Sequence, residues 1–167
     1  MRNEKGFSLI ESMFAITLLT IVALGILPLG MLASATTENQ GHLVARATEY
    51  AQDKLEQLLA LTFPDTTSDT RVFPAADTGG SGLTVGGSSN PDAPVALYVD
   101  YLDVHGSLLA AVDTTPPASW YYKRVWQVEA EGAELKKVTV TTTLKSAVGG
   151  IGRIPRATVS AMKTFPF

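Results

Sequence analysis

The residue types that usually carry catalysis are few in this chain of 167 residues. His42 lies in a predicted helix and His105 in a predicted turn, and neither adjoins a carboxylate–nucleophile arrangement. Serine-hydrolase, zinc-protease and phosphate-loop motifs are absent from the sequence, and so is cysteine. Asp100 and Asp103 could hold a metal, but solvated strand residues explain two acids more simply. We therefore expect no enzyme activity, no cofactor and no metal site.

Basic residues of the C-terminal third could instead contact nucleic acid, because such sites combine positive charge with stacked rings. The net charge of the chain is −3, and these residues are spread along the sequence, so we do not expect a dedicated DNA site. The basic and aromatic residues considered are Lys123, Arg124, Lys136, Lys137, Arg153 and Arg156 with Trp120, Tyr121 and Tyr122.

Charge is unevenly distributed along the chain. Residues 64–113 carry a net charge of −6, whereas residues 114–167 carry +5. One interpretation is an ordinary solvated surface. The other is a subunit with one acidic and one basic side, which would suit packing beside copies or relatives of itself.

A single carboxylate, Glu11, stands at the start of a long apolar stretch. The 26 residues from Ser12 to Thr37 carry no charge, and about 20 helical residues are enough to cross a bilayer. A carboxylate costs about 2–3 kcal/mol at the centre of such a helix and less near the interface. Glu11 is therefore either a side chain that reaches the interface or a group with a specific partner.

The junction between the polar leader and the apolar helix resembles the processing motif of type IV prepilins and pseudopilins. A basic leader with Arg2 and Lys5 ends at Gly6, and the sequence continues Phe7-Ser8-Leu9-Ile10-Glu11. Glycine lets a protease approach the backbone closely because it has no side chain. The resemblance implies that a prepilin peptidase cuts between Gly6 and Phe7 on the cytoplasmic side. It also implies that the same enzyme family N-methylates Phe7.

The resemblance gives Glu11 and the helix interior roles in assembly. In such filaments the carboxylate faces the N-terminal amine of a neighbouring subunit inside an apolar bundle, and a buried charge is tolerated when it has a partner. This pairing would set the axial register of subunit addition. Gly25 and Pro28 interrupt the helix pattern, and the resemblance implies a kink or a locally melted turn there.

Two other fates of the apolar segment stay open. Ala33-Ser34-Ala35 contains the A-x-A pattern of a signal peptidase site, which would make Thr36 the first residue of a secreted protein. Against this, the apolar stretch is far longer than the usual signal-peptide core of about 7–15 residues. The second fate is an uncleaved anchor that carries a binding module or an enzyme.

The pattern of the whole chain predicts an α+β, pilin-like fold, in which a long N-terminal transmembrane helix packs on a small antiparallel β-sheet. The helix is predicted from Phe7 to about Leu61, with Phe63-Pro64 ending it. Period-two alternation predicts strands at 95–101, 107–112, 120–129, 135–145 and 157–163. One face of this sheet should pack on the helix and the other should be wet.

Five regions follow from these patterns. Residues 1–6 are the leader, 7–35 the transmembrane and assembly helix, 36–63 its amphipathic continuation, 64–94 a flexible loop and 95–167 the sheet of the globular domain. In the strand at 135–145, one buried face is predicted to hold Val138, Val140, Thr142 and Leu144, and Trp126 is predicted to lie in the core of the sheet.

The strands at Arg124–Val128 and Leu135–Val140 resemble the C-terminal part of PilV-type minor pilins and GspI-type pseudopilins, without the cysteine pair of many pilins. The prediction is a minor pilin of a type IV pilus, held in the inner membrane with a periplasmic globular domain before it enters the filament at the cell surface. The alternative is a pseudopilin of a type II secretion system. The implied partners are other major and minor pilins, the prepilin peptidase/methyltransferase, the inner-membrane assembly platform and, before assembly, membrane lipid.

Overall fold

A computed structural model of the chain describes residues 8–63, 82–109, 114–146 and 154–165. Over these residues it contains one long helix and a sheet, which confirms the predicted α+β class. The chain divides into two compact units, Met1–Asn39 and Gln40–Phe167. The elements are α1 (Leu9–Ala60), β1 (Gly86–Gly87), β2 (Val99–Leu102), β3 (Leu108–Leu109), β4 (Tyr122–Ala130), β5 (Leu135–Leu144) and β6 (Arg156–Thr164).

The helix α1 ends at Ala60, close to the predicted end, while the predicted start at Phe7 lies outside the described residues. It is assigned as one helix through Gly25 and Pro28. The kink expected at these two residues stays a prediction.

Every strand pair of the described sheet is antiparallel. The strand order is β3-β2-β4-β5-β6, and β1 pairs separately with β4. The longest ladders join β4 to β5, with Trp126 opposite Val140, and β5 to β6, with Val140 opposite Val159. The predicted strands at 120–129, 135–145 and 157–163 therefore exist, with ends shifted by one or two residues.

One face of the sheet packs on the helix residues of the second unit. Ala51 and Leu58 of α1 share an apolar cluster with Trp126 of β4 and with Val138 and Val140 of β5. Trp126 is 0% exposed, which confirms that it belongs to the core. The predicted inward face of β5 is also confirmed, since all four of its residues are buried: Val138, Val140, Thr142 and Leu144.

The opposite face of the sheet was predicted to be wet, and this is wrong for β2, for β4 and for the end of β5, where Thr141 and Thr143 are buried. Val99, Tyr101 and Val125 form a second buried cluster on that face. Leu109 and Trp120 pack against it. The strand alternation indicated which residues face away from the helix, but not that residues before β4 cover them.

Two strand boundaries differ from the prediction for reasons of backbone conformation. The strand predicted from residue 95 begins at Val99, because Leu97 has a positive φ of 74° that is incompatible with a strand. The predicted loop 64–94 contains the short strand β1. At Gly87, φ is +85° and an added Cβ would lie 2.2 Å from the carbonyl oxygen of Trp126, so glycine allows this close pairing.

Candidate functional site

The N-terminal part of α1 exposes a continuous apolar surface. All fifteen large apolar side chains between Leu9 and Leu32 are 46–79% exposed. A helix that is apolar on all sides is stable in a membrane or inside a bundle of similar helices. By length and composition, α1 is the helix of the described residues that could cross a bilayer, with a mean hydropathy of 2.3 over 18 residues. This is consistent with membrane anchoring.

Glu11 lies in the first turn of α1 and is exposed. The residue before the helix, Ser8, accepts hydrogen bonds through its carbonyl oxygen from the backbone N–H groups of Glu11 (3.0 Å) and Ser12 (3.1 Å). The spacing Ser8-x-x-Glu11 is that of a capping box, and a carboxylate near a helix N-terminus stabilises it by about 0.3–1 kcal/mol. Glu11 can therefore also help to start the helix, a role that the sequence interpretation missed although the spacing was visible.

Some of the other predicted site residues lie within the described structure and some lie outside it. Gly6 and Phe7 lie outside the described residues, so cleavage and methylation there remain predictions. The competing signal-peptidase pattern, Ala33-Ser34-Ala35, lies inside α1, where the backbone is helical. The described structure brings none of the other predicted site residues beside Glu11.

A buried ionic network joins α1 to β2 and β4 within the second unit. Arg124 donates from Nε to Asp100 Oδ1 (2.7 Å) and from Nη2 to Asp100 Oδ2 (2.8 Å) across directly opposed strand positions. Lys54 of α1 lies with its Nζ 3.2 Å from Asp100 Oδ2 and 4.1 Å from the centre of the Trp126 ring. Arg124 Nη1 also donates to Asp53 Oδ2 at 3.1 Å. One strand carboxylate thus connects two cations, one from each layer of the fold.

Burial controls the electrostatics of this network. The side chains of Lys54 and Asp100 are 1% and 2% exposed, whereas that of Asp53 is 58% exposed. Burial lowers the pKa of the Lys54 ammonium, although the Asp100 carboxylate opposes the shift. Burial alone would lower the pKa of Arg124, but Asp100 and Asp53 outweigh it and raise this pKa. Two cations and two carboxylates balance one another, so we interpret the network as an anchor between helix and sheet.

The sequence candidates for catalysis are not brought together. His42 and His105 are exposed in different elements, on α1 and in the turn after β2. Asp103 accepts backbone N–H hydrogen bonds from His105 and Ser107, both 2.8 Å, and these bonds, that of Ser107 foremost, lower its pKa. Asp100 belongs to the ionic network. Within the described ranges, no group of three or more potential acid or histidine ligands could hold a metal ion.

Several basic residues considered for DNA are held by the protein itself. Lys123 donates to the carbonyl oxygen of Pro91, and Lys136 donates to those of Phe63 and Leu83. Lys137 lies 3.4 Å from Glu129. Arg124 is in the ionic network and Tyr122 is buried, while Arg153 lies outside the described residues. Among the basic residues considered for DNA that lie on described strands, Arg156 is the exposed one.

Comparison with known proteins identifies the N-terminal segment. Residues 1–27 match the family model of the prokaryotic N-terminal methylation motif. The match includes the predicted cleavage junction, Glu11 and most of the apolar surface of α1, from Leu9 to Leu27. No curated protein and no solved structure matches the chain. The motif supports a type IV pilin-like or pseudopilin-like protein that a prepilin peptidase processes and that assembles with other pilins.

Proposed function

We propose that this protein is a minor pilin of a type IV pilus, of the PilV type. After cleavage between Gly6 and Phe7 and methylation of Phe7, it is stored in the inner membrane through α1, with its globular domain in the periplasm. The assembly platform then transfers it into the filament, where major and minor pilins are its neighbours. The observation that carries the proposal is the methylation motif at residues 1–27, because it includes the start of the exposed apolar helix α1 and the chain continues into an α+β domain.

The regions of the chain take distinct parts in this proposal. Residues 1–6 are the removed leader, and 7–35 are the membrane span that becomes the filament core. Residues 36–63 continue the helix onto the sheet, 64–94 are a loop that contacts neighbouring subunits, and 95–167 complete the globular domain. A pseudopilin of a type II secretion system would share all of these features.

Glu11 provides the test of assembly. With Glu11→Ala, we expect normal processing but a fall of about tenfold or more in the fraction of protein in sheared filaments, because the N-terminal amine of the neighbouring subunit then lacks its partner in an apolar bundle. The measurement is quantitative immunoblotting of membrane and filament fractions, with the N-terminus of each fraction sequenced.

A second substitution separates charge pairing from helix capping. Glu11→Gln removes the charge but keeps a side chain suited to the third position of a capping box. Under the proposal, Glu11→Gln assembles as poorly as Glu11→Ala, whereas Ser12→Ala assembles normally. Recovery of wild-type incorporation with Glu11→Gln would contradict the charge-pairing role.

A further inference from the structure

The strand β6 forms one edge of the described sheet. It is nine residues long and pairs with β5 along an uninterrupted register, from Thr164 opposite Leu135 to Arg156 opposite Thr143. In the strand order, no described strand pairs with its other side. At the opposite edge of the sheet, β3 has two residues. Among the described strands, β6 is therefore the long edge on which a further strand could pair.

Two hydrogen bonds establish which backbone groups of β6 face outwards. The N–H of Phe165 donates to the carbonyl oxygen of Glu134, and the N–H of Leu144 donates to that of Pro155. In an antiparallel pair, hydrogen-bonded positions alternate with non-bonded ones. The odd-numbered residues of β6 consequently bond to β5, and the even-numbered residues direct N–H and C=O away from it. These even-numbered residues also have exposed side chains: Arg156, Thr158, Ser160, Met162 and Thr164.

Three of the features that protect an edge strand from pairing are missing from β6: proline, a bulge and an outward lysine. Proteins protect such edges with short strands, bulges, proline or outward lysines. β6 contains no proline, and its register has no bulge. Its lysine, Lys163, donates instead to the carbonyl oxygens of Leu59 and Leu61.

A cavity of about 210 Å³ lies at the N-terminal end of β6. It is lined by Gln40 and Val44 of α1 and by Ile154, Pro155 and Arg156. Arg156 makes no salt bridge with a described residue. The open edge therefore ends beside a cavity with apolar walls, and Arg156 lies where the edge and the cavity meet.

We propose that the β6 edge binds an extended segment of another polypeptide by antiparallel strand addition. All pairs in this sheet are antiparallel, so the carboxyl end of the added segment would lie at Arg156. A carboxylate at that end pairs with the guanidinium, and a neighbouring apolar side chain enters the cavity. Backbone hydrogen bonds supply affinity in this mode of recognition, and the pocket supplies specificity. The inference does not depend on whether the chain enters a filament.

Charge at the edge favours an acid-bearing partner. Of the four basic residues of β5 and β6, three are bonded to oxygens of the chain itself: Lys136, Lys137 and Lys163. Arg156 is the exposed cation that is left at this edge, and an acidic group opposite it complements its charge.

The test uses fluorescent peptides of about seven residues, alternating threonine and valine and ending in leucine. Their binding to the full-length protein in nanodiscs is measured by fluorescence anisotropy. The first probe has a free C-terminal carboxylate, and the second has a C-terminal amide. The third also has a C-terminal amide, but glutamate replaces its last leucine. We expect the two carboxylate probes to bind at least about tenfold more tightly than the plain amide. The tighter of the two identifies a terminal or a side-chain carboxylate as the recognised group.

Two manipulations separate strand addition from simple charge attraction. Arg156→Gln should remove the advantage of the carboxylate probes, while Lys145→Gln, an equal loss of charge at the exposed residue directly after β5, should leave it intact. Two further peptides carry N-methyl groups on alternate nitrogens, one on the odd and one on the even positions. The peptide whose methylated nitrogens face β6 should not bind, and the peptide whose methylated nitrogens face away should bind normally.

Three outcomes would overturn the inference. The first is no saturable binding of any probe. The second is equal binding of the two N-methylated peptides, or an equal effect of Arg156→Gln and Lys145→Gln on the affinity of the carboxylate probes. The third is a Ser160→Cys protein that forms an interchain disulfide efficiently while the probes fail to compete. Since the chain has no native cysteine, such a disulfide would identify a second copy as the occupant.

Discussion

Replacing Gly6 by valine is expected to leave the leader on almost all of the protein. The branched side chain prevents the close approach of the peptidase to the bond between Gly6 and Phe7, and a displacement of about 1 Å in an active site lowers a rate about 100-fold. The uncleaved protein stays in the membrane, because its N-terminal amine is no longer at Phe7 to meet Glu11 of a neighbour. Intact mass of the protein extracted from membranes measures the retained leader directly.

A valine placed elsewhere in the leader controls for a general effect of side-chain size. Asn3→Val adds a similar side chain three residues before Gly6, and its cleavage should be normal. Wild-type cleavage of Gly6→Val would contradict the assigned junction. Equal loss of cleavage in both variants would show that the whole leader, and not the glycine, is recognised.

Removing the Asp100 carboxylate is expected to destabilise the globular domain by about 3–5 kcal/mol. Arg124 loses both hydrogen bonds of its bidentate pair, and Lys54 loses the carboxylate 3.2 Å away. Both cations remain buried, which is costly without a counter-charge. Denaturant unfolding of the full-length Asp100→Ala protein in detergent, followed by tryptophan fluorescence, measures the free energy, since Trp126 lies against Lys54.

The matched control is the other carboxylate of the network. Asp53 is 58% exposed, so Asp53→Ala removes a solvent-screened contact to Arg124 and should cost about 1 kcal/mol or less. Similar unfolding free energies for Asp53→Ala and Asp100→Ala would contradict the assignment of Asp100 as the central anchor.

The fold was largely predictable because its longest elements have strong periodic patterns. The apolar run predicted α1, and the alternation of β5 predicted its inward face, Val138 to Leu144. Local features without a pattern were missed. β1 consists of Gly86 and Gly87 and shows no alternation, and the positive φ of Leu97, which delays β2, leaves no signal in the sequence.

The candidate site was predictable only where it is local in sequence. The junction at Gly6-Phe7, Glu11 and the apolar run are contiguous, so one motif contains them all. The ionic network joins Lys54, Asp100 and Arg124, which are far apart in the chain and meet only through the register of β2 with β4. Arg124 was considered instead for DNA, because the sequence does not reveal that a carboxylate lies directly opposite.

The most direct test of the central claim is the identity of the first residue of the native protein. The claim is that cleavage and methylation at Phe7 prepare α1 for transfer from membrane to filament. Intact mass and N-terminal sequencing of protein purified from its native membrane should give N-methylated Phe7 as the first residue. A protein that begins at Thr36, released without the apolar helix, would contradict the account.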